Sequence, residues 1–169
     1  MTAYELFARL SPTEASGILE WLQESDRAAY KTCAGLLATR RKLRPVFVER
    51  KPKAERNAWM SENLGKPSSA DLATEILQSW LLGAHGNMVC GFLDSLKIPH
   101  DGKGLIETLP AEPPSGEVDR AVGELFSTYP PAAVLVYMNL FASMEMTAWP
   151  HLKELVSTDP RLCQNPTSL

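Results

Sequence analysis

Apolar residues recur at helical spacing along most of the chain. In the segment 12–24, Ala15, Ile18, Leu19 and Leu22 follow the i, i+3, i+4, i+7 order of one buried helix face. Comparable apolar stripes or helix-length apolar runs occupy six further segments: 27–43, 53–64, 70–86, 88–98, 116–129 and 130–144. This pattern predicts an all-α protein, an irregular orthogonal bundle of six to eight helices. The segment 131–144 is apolar on most sides, which predicts one buried central helix.

Several helix ends are marked by residues that satisfy free backbone groups. Ser11, Pro12 and Glu14 stand at the cap, first and third helical positions, as in a capping box with proline at its start. Asp26 is placed to cap the following helix. Gly65 follows the segment 53–64 and is predicted to take the left-handed conformation that often ends a helix.

The run PVFVER, residues 45–50, departs from helical spacing. It clusters β-branched and aromatic residues and is expected to be extended, although it is too short to build a sheet. We predict a single helical domain over residues 1–157, with an alternative sub-boundary near residues 65–68 where the charge changes sign. The polar, turn-rich stretch 158–169 is expected to form a loose C-terminal tail.

Cysteine spacing and the apolar runs indicate the compartment. Cys33, Cys90 and Cys163 are odd in number and contain no CxxC pair, so a reducing environment fits better than a disulfide framework. The first 14 residues resemble no export signal, and the run 130–144 is shorter than the roughly 20 apolar residues that cross a bilayer. We therefore expect a cytoplasmic protein that does not enter a membrane.

Charge is distributed unevenly along the chain, although the net charge is only −3. Residues 1–66 hold 12 basic and 8 acidic residues, whereas residues 67–169 hold 5 basic and 12 acidic residues. Such asymmetry favours contact with an acidic partner, or between the basic part of one copy and the acidic part of another.

The basic segment 40–56 is the strongest compositional signal. It includes 8 of the 17 basic residues. An acidic protein partner or self-association would use these charges, and otherwise they form a solvated surface. Nucleic-acid binding is the alternative, because Phe47 and Trp59 could stack on bases, but a pI near 5.6 weighs against a dedicated nucleic-acid binder. The candidate binding residues are Arg40, Arg41, Lys42, Arg44, Arg50, Lys51, Lys53 and Arg56.

The stretch IPHDGKG, residues 98–104, holds the other candidates, His100, Asp101 and Lys103. It lacks the spacing of a phosphate loop and of a calcium loop, and its proline and glycines are typical of a tight turn. It opens a segment, 98–115, in which no ordinary helix fits and which is long for a connector. Apolar residues within it, Leu105, Ile106 and Leu109, are expected to pin it to the core.

No complete catalytic set is evident. The chain has no GxSxG segment, and His85, Cys90 and His100 are the one neighbourhood where histidine and cysteine could converge. We predict no catalytic residue, metal ligand or cofactor. The favoured function is a non-catalytic helical module for protein interaction or self-association; a small metal-dependent or Cys/His-dependent enzyme is the second alternative after nucleic-acid binding.

Overall fold

The protein is all-α, as its sequence predicts. The computed structural model describes residues 1–144 and 146–163, and this part of the chain contains eleven α-helices, one 3-10 helix and no β-strand. The α-helices are α1 Ala3–Arg9, α2 Pro12–Ser25, α3 Arg27–Arg40, α4 Pro45–Glu49, α5 Lys53–Leu64, α6 Ala70–Ala84, α7 Gly86–Ser95, α8 Ser115–Thr128, α9 Pro131–Ser143, α10 Pro150–Thr158 and α11 Pro160–Cys163.

The eleven helices exceed the predicted six to eight because several are very short. Helices α4 and α11 span five and four residues, too few to show an apolar stripe in the sequence. Among the described residues no helix is both long and apolar enough to cross a bilayer.

Contacts divide the chain into two compact units. The first is Thr2–Trp80, and the second comprises Met1 and the residues from Leu81 onward, so the division falls within α6. Residues 65–68, the alternative boundary read from the sequence, lie inside the first unit, where Pro67–Ser69 forms the 3-10 helix. The single-domain organisation of 1–157 stays a prediction.

In the first unit, α2 packs against both α3 and α5. The capping box at its start is confirmed: the Glu14 amide donates to Ser11 Oγ at 3.2 Å, and the Ser11 amide donates to the Glu14 carboxylate at 2.9 Å. Asp26 caps α3 by accepting the Ala29 amide at 2.9 Å. The starts of α2 and α3, which depend on local hydrogen bonds, were thus predicted correctly from the sequence.

The left-handed ending expected at Gly65 is wrong. Gly65 has a φ of −73°, and it is glycine for another reason: an added Cβ would lie 3.3 Å from Ala8, so α5 ends in close approach to α1. Left-handed helix endings occur instead at Lys42, with a φ of 58°, after α3, and at Lys97, with a φ of 55°, after α7. Lysine in this conformation carries a strain that glycine would avoid.

The second unit contains α9, and the burial predicted for this helix is confirmed. Every residue from Ala133 to Ala142 is buried. Phe141 makes edge contacts with Phe92 and with Trp149, at ring-centroid distances of 5.6 and 5.5 Å. The core of this unit is therefore aromatic.

Part of the stretch expected to be a loose tail is ordered by the core. Residues 160–163 form α11, and the Leu162 side chain is fully buried. The side-chain amide of Asn139, itself buried in α9, donates to the Leu162 carbonyl at 3.0 Å. The remaining residues of that stretch, 164–169, lie outside the described residues.

Candidate functional site

A sharp turn carries the chain from α3 into α4. The amide of Lys42, which is in the left-handed conformation, donates to the Thr39 carbonyl at 2.9 Å, and the Leu43 amide donates to the Ala38 carbonyl at 2.8 Å. These two bonds form a Schellman motif that ends α3. Pro45 then occupies the first turn of α4, where its missing N–H costs nothing.

The extended structure expected for residues 45–50 is wrong, since Pro45–Glu49 is helical. In a strand Val46 and Val48 would share one face. In α4 Val48 is buried, at 1% exposure, whereas Val46 and Phe47 point outward, at 38% and 58% exposure. Proline at the helix start and burial of one valine outweigh the modest helix propensity of β-branched residues.

Exposed apolar and cationic side chains meet in this region, which we call the α4 corner. Its apolar members are Leu43, Val46 and Phe47. No carboxylate of the described residues lies within 4.0 Å of its cations, and Glu49 is the one acidic residue between positions 41 and 51. The cationic members of the α4 corner are Arg41, Lys42, Arg44, Arg50 and Lys51.

Arg40, which the sequence groups with these cations, has a structural role. Its guanidinium donates two hydrogen bonds of 2.7 Å to the Asp71 carboxylate and one of 2.8 Å to the Ser68 carbonyl. This bidentate pair holds the pKa of the exposed Asp71 carboxyl well below its ordinary value. The pair links the end of α3 to the start of α6.

Arg56 and Lys53 are also engaged within the first unit. Arg56 Nε donates to the Tyr30 hydroxyl at 2.9 Å, and that hydroxyl donates to buried Asn57 Oδ1 at 2.6 Å. Lys53 lies 3.7 Å from the Glu20 carboxylate. Arg40 and Arg56 therefore make hydrogen bonds within the fold and Lys53 forms an exposed ion pair, whereas the five cations of the α4 corner have no carboxylate partner among the described residues.

The polar groups of the stretch 98–104 mostly bind one another. His100 Nδ1 accepts the Gly102 amide at 3.1 Å, so the proton of the neutral ring lies on Nε2, which donates to the Asp94 carboxylate at 2.9 Å. Both nitrogens of His100 are occupied. The imidazole is therefore a structural link between α7 and the loop.

Asp101 organises the same turn. Its carboxylate accepts the amides of Lys103 at 2.8 Å and Leu105 at 3.0 Å, and these bonds lower the pKa of Asp101. Lys103 is exposed. The arrangement supports the connector interpretation of this stretch.

Of the three apolar anchors expected in this connector, Leu105 is wrong, because its side chain is 57% exposed, whereas Ile106 and Leu109 are half-buried. The helix-free connector is tied down further along. Trp149 Nε1 donates to the Pro110 carbonyl at 3.0 Å. The Glu112 carboxylate accepts the amides of His151 at 3.1 Å and Leu152 at 2.8 Å, and so caps α10 from a distant part of the chain.

We expect the turn at Asp101 to make stability depend on acid pH. Because its pKa is lowered in the folded state, the ionised carboxylate stabilises the fold above the ordinary pKa of 3.8, and this contribution disappears as the pH falls through the folded value. The thermal midpoint of Asp101→Asn should lie below that of the parent at pH 7, and the two should converge on acidification. Glu107→Gln, an exposed change in the same connector, is the control. A midpoint difference that does not change with pH would contradict this account.

The cysteines and histidines of the described residues do not form a metal-binding group, and two of the cysteine thiols have raised pKa values. They contain no group of three or more His, Cys, Asp or Glu side chains able to hold a metal ion. Burial raises the pKa of Cys33 to about 12, and burial together with Asp94 raises the pKa of Cys90, so neither thiol is activated at neutral pH. The Cys90 thiol donates to the Gly102 carbonyl at 3.6 Å, which is a packing contact.

The sequence interpretation missed a groove in the first unit, bounded by α1, α2 and α5, with a volume of about 840 Å³. Buried Phe7 and Leu10 line it, and small residues of α2 and α5, such as Gly17 and Ala58, keep it open. The available signal was the pair Ala54 and Ala58, four residues apart on one face of α5. The spacing alone does not reveal whether a neighbouring helix fills the space.

Comparison with protein-family models, with curated proteins and with solved structures found no match.

Proposed function

We propose that the protein is a non-catalytic, cytoplasmic helical module that binds an acidic, partly apolar protein surface through the α4 corner. The observation behind this proposal is the exposure of Phe47, at 58%, among five cations for which the described residues supply no carboxylate partner.

The composition of the α4 corner suits a protein contact. The exposed apolar side chains Leu43, Val46 and Phe47 lie on the turn before α4 and on α4 itself. Burying them against a partner would be favourable in proportion to the apolar area covered. Arginine is favoured at interface centres, and a cationic border steers an acidic partner. Such a contact gains affinity from Phe47 and orientation from the charges.

A direct test measures binding of a fluorescein-labelled peptide that carries leucine and glutamate at helical spacing. We expect Phe47→Ser to weaken binding by about 30-fold, because removing a central apolar anchor costs about 2 kcal/mol. Fluorescence anisotropy titration of the folded variants checks this. Leu105→Ser is the matched control, since Leu105 is 57% exposed but lies outside the α4 corner.

Two results would contradict the proposal. One is a parent protein that does not bind the peptide at low salt. The other is an equal effect of Phe47→Ser and Leu105→Ser, which would make the binding nonspecific.

Single-stranded nucleic acid is the second candidate, because an exposed aromatic ring among cations can stack on a base while the cations contact phosphates. The same titration with labelled oligothymidine separates the two. If nucleic acid is the partner, oligothymidine binds more tightly than the peptide, and replacing Arg41, Lys42, Arg44 and Lys51 with glutamine lowers the salt slope by about 3. Weaker binding of oligothymidine removes this candidate.

A further inference from the structure

The second unit has a groove of its own, at the start of the helix-free connector. It has a volume of about 410 Å³, and the residues that line it lie between Pro99 and Thr108, so we call it the connector groove. Its apolar lining comes from Pro99 and Leu105, and the Leu105 side chain is 57% exposed. The connector groove therefore presents a large apolar side chain to solvent.

Two carboxylates that line the connector groove have no ion-pair partner in the described part of the chain. No nitrogen of a lysine, arginine or histidine there lies within 4.0 Å of the carboxylate of Asp101 or Glu107. His100, which also lines the groove, donates to Asp94 instead. The amides that bind Asp101 carry no net charge, and Lys103 acts on it only from beyond ion-pair distance. Two uncompensated negative charges therefore lie beside the apolar lining.

The groove bounded by α1, α2 and α5 differs in this respect. Its carboxylates already have cationic partners within the first unit. Glu20 lies 3.7 Å from the Lys53 ammonium. Glu62 lies 3.1 Å from the Lys66 ammonium, four residues further along the chain. Uncompensated negative charge beside an exposed apolar side chain is thus a property of the connector groove and not of this larger one.

The α4 corner has the complementary character. It presents Phe47 and Val46 on one helical turn, among five cations that have no carboxylate partner in the described residues. The surrounding sequence has the same opposition, since residues 41–51 hold 5 basic and 1 acidic residues, whereas residues 81–169 hold 5 basic and 10 acidic residues. An apolar projection among unpaired cations complements an apolar groove beside unpaired carboxylates.

We propose that the α4 corner of one copy of this chain docks in the connector groove of a second copy, with Phe47 against Leu105 and the corner cations near Asp101 and Glu107. This inference rests on the proposed function and names its partner, because the connector groove is itself an acidic, partly apolar protein surface. The two contact surfaces are different parts of the chain, so the interface is heterologous. Such contacts either close into a ring or continue as an open chain.

The interface is expected to be weak and sensitive to salt. A contact between one short helix and one loop lies at the low end of specific interfaces, so the dissociation constant should fall on the order of 1 µM to 1 mM. Its ion pairs involve exposed side chains, and raising the salt concentration should weaken association.

One variant is designed for each surface. Phe47→Ser removes the apolar projection of the α4 corner. Glu107→Lys replaces an unpaired carboxylate of the connector groove with a cation that the corner repels. Both positions are exposed, so the fold is retained. Glu124→Lys is the matched control, because it makes the same change of charge at an exposed position of α8 outside the groove.

Sedimentation equilibrium of the parent at low salt should show self-association. Phe47→Ser should weaken it by at least about 30-fold, and Glu107→Lys by about 10-fold. An equimolar mixture of these two variants retains one intact corner and one intact groove. It should associate more tightly than either variant alone, as 1:1 dimers that do not extend further. Glu124→Lys should associate like the parent.

Three results would overturn the inference: a parent that stays monomeric up to about 1 mM, a Glu107→Lys variant that associates like Glu124→Lys, or a mixture that associates no more tightly than its components. If the parent is monomeric but still binds the acidic peptide in a Phe47-dependent manner, self-docking fails and the proposed function stands. If Phe47→Ser changes neither self-association nor peptide binding, both proposals fail.

Discussion

Replacing Gly104 with alanine is expected to lower the free energy of unfolding by about 2–5 kcal/mol. Gly104 has a φ of 94°, in the left-handed region, where a side chain is strained. An added Cβ would also lie 2.6 Å from Val89 Cγ1 and 3.2 Å from Leu82 Cδ2, so the surrounding core would have to shift. Urea denaturation of the parent and variant measures the loss.

Gly102 provides the matched control for this change. It has a φ of 81°, but an added Cβ meets nothing within 4 Å. Gly102→Ala should therefore cost only the backbone strain, about 1–2 kcal/mol. Equal losses at the two positions would show that close packing at Gly104 contributes nothing, and the connector would not be seated on α7 as the distances indicate.

Trp149→Ala is the second large expected effect, a loss of about 3–5 kcal/mol. The indole is 1% exposed, its ring centroid lies 5.5 Å from that of Phe141, and its N–H donates to the Pro110 carbonyl. Removing it opens a cavity in the aromatic core and releases one anchor of the connector. Thermal and urea unfolding monitored by circular dichroism measure the effect.

Two further variants divide this loss between packing and the connector. Trp149→Phe keeps a ring in the core but leaves the Pro110 carbonyl without its donor, and should cost about 1–2 kcal/mol beyond the lost volume. Leu105→Ala should change stability by less than about 0.5 kcal/mol, since that side chain is mostly in solvent. If Leu105→Ala is as damaging as Trp149→Ala, Leu105 anchors the connector as the sequence predicted, and this account is contradicted.

The contrast between Leu105 and Trp149 shows why the connector could be located but not explained from sequence. Proline, glycine and the lack of a periodic stripe indicate that no helix forms there. Which side chain holds the segment depends on residues about 40 positions away, and no local pattern encodes such a pairing. The hydrogen bonds within the turn were easier to predict from the sequence, because Asp101 and Gly102 lie close in sequence to their hydrogen-bond partners.

The α4 corner was only partly predictable for a similar reason. The sequence indicated its cations, and five of the eight candidate residues lie at the α4 corner. It could not show that Arg40 is committed to Asp71, 31 residues away, or that Val48 is buried while Phe47 is exposed. The density of charged residues can be counted in the sequence, but whether each charge is paired with another side chain is decided by the fold.

The sequence by itself determined the all-α class, the positions of the long helices, the caps at Ser11 and Asp26, and the burial of α9. These features follow from local hydrogen bonds and from the 3.6-residue period of the helix. Tertiary structure alone decided the capping of α10 by Glu112 and the groove between α1, α2 and α5. Each of these requires groups that are distant in sequence to meet, or small residues to remain uncovered, and only packing settles both.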